Sequence, residues 1–106
     1  MSKRIAENLT TASTDEWAAI ILRLLRENVE GKGPTGPHPG HLPMIEKEML
    51  DKWADEKGET SPIEWLDRPK EFRERFEAAV EVLFSEKRIR KDMTQRGSDE
   101  FVEPVD

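Results

Sequence analysis

The densest basic cluster in the chain is Lys87, Arg88, Arg90 and Lys91, with Arg96 a little further on. Cations spaced this closely suit phosphate oxygens, which dominate protein contacts to double-stranded DNA. From Arg68 to Arg96 nine Lys/Arg residues outnumber six acids, although the whole chain carries a net charge of −6. Lys70 and Arg73 would be secondary phosphate contacts. Within the same stretch Glu74, Glu77 and Glu81 recur at spacings of three and four, so they share one helix face. Carboxylates there repel phosphate and suit a basic protein partner. A solvated strand whose charges discourage aggregation accounts for the basic cluster as well as DNA contact does.

Other candidate chemistry is weaker. His38 and His41 lie three apart in a Pro/Gly-rich stretch, and no third ligand stands out. Structural zinc normally takes four protein ligands, so two solvated histidines are expected and no metal. The chain has no cysteine, which excludes disulfides and thiolate sites. The run Gly31-Lys32-Gly33-Pro34-Thr35-Gly36 lacks the spacing of a phosphate-binding loop. Trp17, Trp53 and Trp65 read as core residues joining helices rather than as an aromatic cage. No paired acid and base and no Ser/His/Asp order stands out, so neither an enzyme nor a cofactor is expected.

The elements that must position these residues are legible from periodicity. Ser13 and Glu16 have capping-box spacing, and Trp17, Ile20, Ile21, Leu24 and Leu25 follow at helical intervals. The first helix is predicted over 15–30, stopped by Gly31. Residues 31–42, rich in glycine and proline, form a loop. Pro43 opens a second helix over 43–57, with Ile45, Met49 and Trp53 four apart and Gly58 as its stop. Ser61 and Glu64 suggest another capping box before a short turn through Trp65 and Leu66. A third helix over 69–86 carries Phe72, Phe76, Ala79, Val80 and Leu83 inward, with Phe84 widening the stripe. A hairpin follows over 88–105: Ile89, Lys91 and Met93 share one strand face, residues 95–99 turn, and Phe101–Val105 returns as an edge strand that tolerates Pro104.

The run from Phe76 to Lys91 resembles the end of a winged-helix domain. In that family a helix ends in leucine and a few polar residues, and a basic-flanked isoleucine or valine then starts the hairpin called the wing. Glycine commonly occupies the turn where this chain has Lys87. A narrower similarity, carried by Trp53, Trp65 and the span Phe72–Ile89, is to winged-helix modules at the C-terminal ends of phage and plasmid replication proteins. The resemblance implies a small accessory or regulatory binding protein that reaches DNA through Lys87, Arg88, Arg90, Lys91 and Arg96. The alternative is a protein-interaction module or phage-type inhibitor that uses Glu74, Glu77 and Glu81.

The expected fold is therefore mainly α with a small β-hairpin, a three-helix winged-helix-like domain over residues 14–106 preceded by a flexible arm over 1–13. At 106 residues with 38% charged side chains, one domain with a small core is the natural outcome. No stretch approaches the ~20 apolar residues of a membrane span, and the N-terminus lacks the apolar run of a secretory signal, so a cytoplasmic protein is expected.

Overall fold

The computed structural model describes residues 5–31, 40–92 and 101–105. Three helices and a small antiparallel sheet follow in the order α1 (Thr14–Val29), β1 (Gly40–His41), α2 (Leu42–Glu56), a 3₁₀ turn (Trp65–Asp67), α3 (Lys70–Ser85), β2 (Ile89–Lys91) and β3 (Phe101–Pro104). Each helix lies within a residue of its expected bounds. The reason is visible at the caps. Ser13 Oγ accepts from the Glu16 N–H at 3.2 Å, and Glu16 Oε1 accepts from the Ser13 N–H at 3.2 Å, so both halves of the box close. The box expected at Ser61 and Glu64 does not form, and the turn starts only at Trp65, after an extended Glu64.

Phe72 on α3 is wholly buried and sits between two tryptophans. Its ring centroid lies 5.4 Å from Trp17 on α1 and 5.9 Å from Trp53 on α2. Ile20, Ile21, Leu24 and Leu25 of α1, Met49 and Leu50 of α2, and Ala79 and Leu83 of α3 complete the buried cluster. The sheet closes it with Ile89 and Val102.

The sheet differs from a simple hairpin. Its order is β1-β3-β2, so β3 is the central strand and not the expected edge. The extra strand comes from the end of the Gly/Pro-rich stretch, where Gly40 faces Val102 and His41 faces Phe101. A Cβ at Gly40 would lie 2.3 Å from the Val102 carbonyl oxygen, so only glycine lets β1 approach this closely. Pro104 is still accommodated because β1 covers only residues 101 and 102. Among the described residues, the strand partner of Pro104 is Ile89 of β2. The turn expected at residues 95–99, and Met93, lie outside the described residues.

The N-terminal segment is a correction. Residues 5–12 are not a loose arm: Ile5, Leu9 and Ala12 are buried in the core. The Trp17 indole donates to the Leu9 carbonyl at 2.9 Å. Glu56, at the end of α2, accepts from the backbone N–H groups of Leu9 at 2.8 Å and Thr10 at 3.0 Å. Arg75 on α3 donates to the carbonyls of Thr10 and Ala12, and its guanidinium lies 4.7 Å from the Trp17 ring. Arg23 pairs with Glu7. These ties use polar residues too sparse and irregular to register as an amphipathic pattern.

Burial pushes the Glu56 carboxyl up, but the Thr10 and Leu9 backbone donors, Lys52 and the Thr10 hydroxyl together hold it below its ordinary 4.5. The hydrogen bond from Arg23 likewise holds Glu7 low, against a smaller opposing effect of burial. A folded pKa below the unfolded value stabilises the fold above pH 4.5. That contribution is lost as pH falls through the depressed folded value. Glu56→Gln should therefore lower the urea midpoint at pH 7 and make the further loss on acidification to pH 3.5 smaller than in the wild type. Equal losses on acidification in the two proteins would contradict this role for Glu56.

Candidate binding surfaces

The basic residues form two separate groups. Lys70 and Arg73 lie in the first turn of α3, while Lys87, Arg88, Arg90 and Lys91 lie beyond its end. Fourteen residues of rise put Arg73 and Lys87 about 20 Å apart. Lys70 pairs with Glu74, one turn on, at 3.7 Å. Arg73 and Glu77 stand one turn apart at the same spacing but form no ion pair, and both side chains are exposed. Arg88 and Arg90 point to solvent while Ile89 is buried. Arg90 is tied across the sheet to Glu103. Arg96 lies outside the described residues. Glu86, Asp92 and Glu103 sit among these cations, so the local excess of positive charge is slight.

Lys87 holds the junction between α3 and β2. Its φ is +59°, the left-handed region usually left to glycine, and Gly58 at φ +79° fills the matching place after α2. The Lys87 N–H donates to the Phe84 carbonyl at 3.0 Å and the Arg88 N–H to the Leu83 carbonyl at 2.9 Å. This paired arrangement satisfies the last carbonyls of the helix and turns the chain into β2.

The acidic face of α3 borders a more distinctive feature. Phe76, Val80 and Phe84, four apart, form a stripe along the helix. Leu42 and Pro43 at the start of α2 form the opposite wall, and Trp65 and Arg68 close one end. The resulting groove has a volume of about 500 Å³. Phe76 is buried, Val80 half-buried, and Phe84 37% exposed. Glu77 and Glu81 also line the groove, and among the described residues neither has an ion-pair partner.

Glu46 anchors the end of this groove. It is 6% exposed and accepts from the Trp65 indole at 2.9 Å and from Arg68 Nε at 3.0 Å. Arg68 also donates to the Trp65 carbonyl at 2.8 Å, and its guanidinium lies 3.9 Å from the Trp65 ring. Arg68 is therefore a neutralised cation in a fixed position, and the net charge around the groove is negative. Trp65 is thus half-buried at a surface, unlike Trp17 and Trp53, which fill the core.

Sequence reasoning found Glu74, Glu77 and Glu81 as a face but missed Leu42, Pro43, Glu46, Trp65 and Arg68. Phe84 was the available signal, since it lies beyond the arc that reaches the core. The His41 ring lies 4.6 Å from that of Phe101, tilted by 34°, and His38 lies outside the described residues. Among the described residues no three His, Cys, Asp or Glu side chains come together as a metal site. No helix among them is long and apolar enough to cross a membrane. No protein-family model, curated protein or solved structure matches the chain.

Two substitutions test this geometry. A left-handed conformation costs an ordinary residue about 1–2 kcal/mol, against roughly 0.5–1 kcal/mol of added chain entropy for glycine. Lys87→Gly should therefore stabilise the fold by about 0.5–1 kcal/mol in chemical denaturation, and a loss of stability would refute the assigned backbone. Glu46→Ala should cost about 2–3 kcal/mol by leaving Arg68 and the Trp65 indole without their acceptor. Its tryptophan emission should shift to the red as Trp65 is released. Unchanged emission would show that Glu46 does not hold Trp65.

Proposed function

We propose that this chain is a winged-helix-like binding domain that acts through contact with a protein partner, without covalent chemistry. Three helices followed by strands in a three-stranded antiparallel sheet are compatible with the winged-helix resemblance. The observation that carries the reading is the apolar groove beside Glu77 and Glu81, whose carboxylates have no ion-pair partner among the described residues. A recognition helix presents its exposed face to the major groove. Here that face bears Glu74, Glu77 and Glu81, which would oppose phosphate. Protein recognition makes use of the same charges, and an accessory or regulatory role fits a domain that binds.

A second reading is non-specific contact with duplex DNA through the wing. The exposure of Lys87, Arg88, Arg90 and Lys91 favours it. Fluorescence anisotropy with a mixed-sequence duplex separates the two. The protein-binding reading predicts no duplex affinity from low to moderate salt. Duplex binding that weakens in Arg88→Ala/Arg90→Ala, with the salt slope falling by about 0.9 per lost phosphate contact, would put the DNA reading first.

A further inference from the structure

We infer that the groove between α2 and α3 takes a basic amphipathic helix of a partner protein. This inference rests on the protein-binding reading above and names the chemistry of its ligand. The stripe formed by Phe76, Val80 and Phe84 runs parallel to the α3 axis and spans about 12 Å, a little over two helical turns. A second helix laid lengthwise would meet it with apolar side chains one turn apart. Leu42 supplies apolar surface from the other wall. The lining comes from α3, the first turns of α2 and the connection between them, and none of it from a strand, so an extended peptide finds no strand edge among these residues to pair with. This is the helix-in-groove mode rather than strand addition.

Charge complementarity identifies the partner's rim. Glu77 and Glu81 also lie one turn apart on α3, beside the stripe, and neither is paired within the described residues. The groove's own cation, Arg68, is already committed to Glu46. A docked helix with Lys or Arg one turn apart beside its apolar anchors would meet both carboxylates. An acidic helix would bring like charges together as it covered them. Phe84 is the natural anchor, being aromatic, half-exposed and at the end of the stripe.

A displayed library of randomised peptides of about 16 residues, roughly 24 Å as helix, provides the test. Peptides retained by the wild type but not by Phe84→Glu should carry two apolar residues one turn apart and flanking Lys or Arg. They should gain helical circular dichroism on binding. Glu77→Lys/Glu81→Lys changes only exposed side chains and should weaken them about tenfold or more. Its near-native melting curve would show that the loss is local. Selected peptides that are acidic, uncharged or bound in extended form would overturn the basic-helix inference while leaving the groove as a protein site. Absence of any peptide that depends on Phe84 would overturn both. A wild-type dimer in sedimentation equilibrium that Phe84→Glu abolishes would overturn it in favour of a second copy of this chain.

Discussion

Phe72 is the side chain on which the three helices converge. It reaches Trp17 of α1 and Trp53 of α2 from a position in the first turn of α3, and no part of it remains exposed. A chain of 106 residues with 35% hydrophobic residues has little apolar area to spare. Concentrating burial in aromatic rings is efficient, because each ring covers a large area with few rotatable bonds. Phe76 continues the same line, with its ring stacked 6.3 Å from Phe72. Everything at the surface of α3 is positioned by this inner seam. A helix pinned at Phe72, Phe76, Ala79 and Leu83 must present Glu77, Val80, Glu81 and Phe84 where they are found.

Charged residues then do what a small core cannot. Glu56 and Arg75 fasten the irregular segment 7–12, one by accepting backbone N–H bonds and the other by donating to carbonyls. Glu46 fastens the connection between α2 and α3 through Trp65 and Arg68. Segments without secondary structure have backbone groups to satisfy as well as apolar residues to bury, and a single carboxylate or guanidinium serves several at once. The acidic and basic residues of this chain are therefore partly structural, which weakens any functional reading drawn from charge alone.

The helices were legible because each combines an apolar stripe with a chemical stop. Trp17 to Leu25 and Phe72 to Leu83 mark their faces, and Gly31 and Gly58 end α1 and α2 at positive φ. What escaped depends on contacts distant in sequence. Gly40 reads as one more loop glycine until Val102 is placed beside it. Leu9 looks isolated until Trp17 and Glu56 meet its backbone. The acidic face of α3 was visible as a periodic pattern. The groove beside it was not, since half its wall comes from α2 and the connection that Glu46 holds in place. A one-dimensional pattern shows which face of a helix is free, but not what stands opposite that face.

That distinction bears on what α3 can read. Its inward arc is spent on the core, and Arg75 is spent on the carbonyls of Thr10 and Ala12. Lys70 is engaged by Glu74. Of the α3 cations this leaves Arg73, exposed and one turn from Glu77. A helix with this allocation has little left to offer a phosphate backbone along its length, whatever the strands beyond it do. It has a half-buried hydrophobic stripe, whose contact with water an apolar surface would relieve, beside two exposed carboxylates that have no ion-pair partner among the described residues. The same packing that makes α3 the centre of the fold thus turns toward solvent the face that, on the reading proposed above, meets a protein partner.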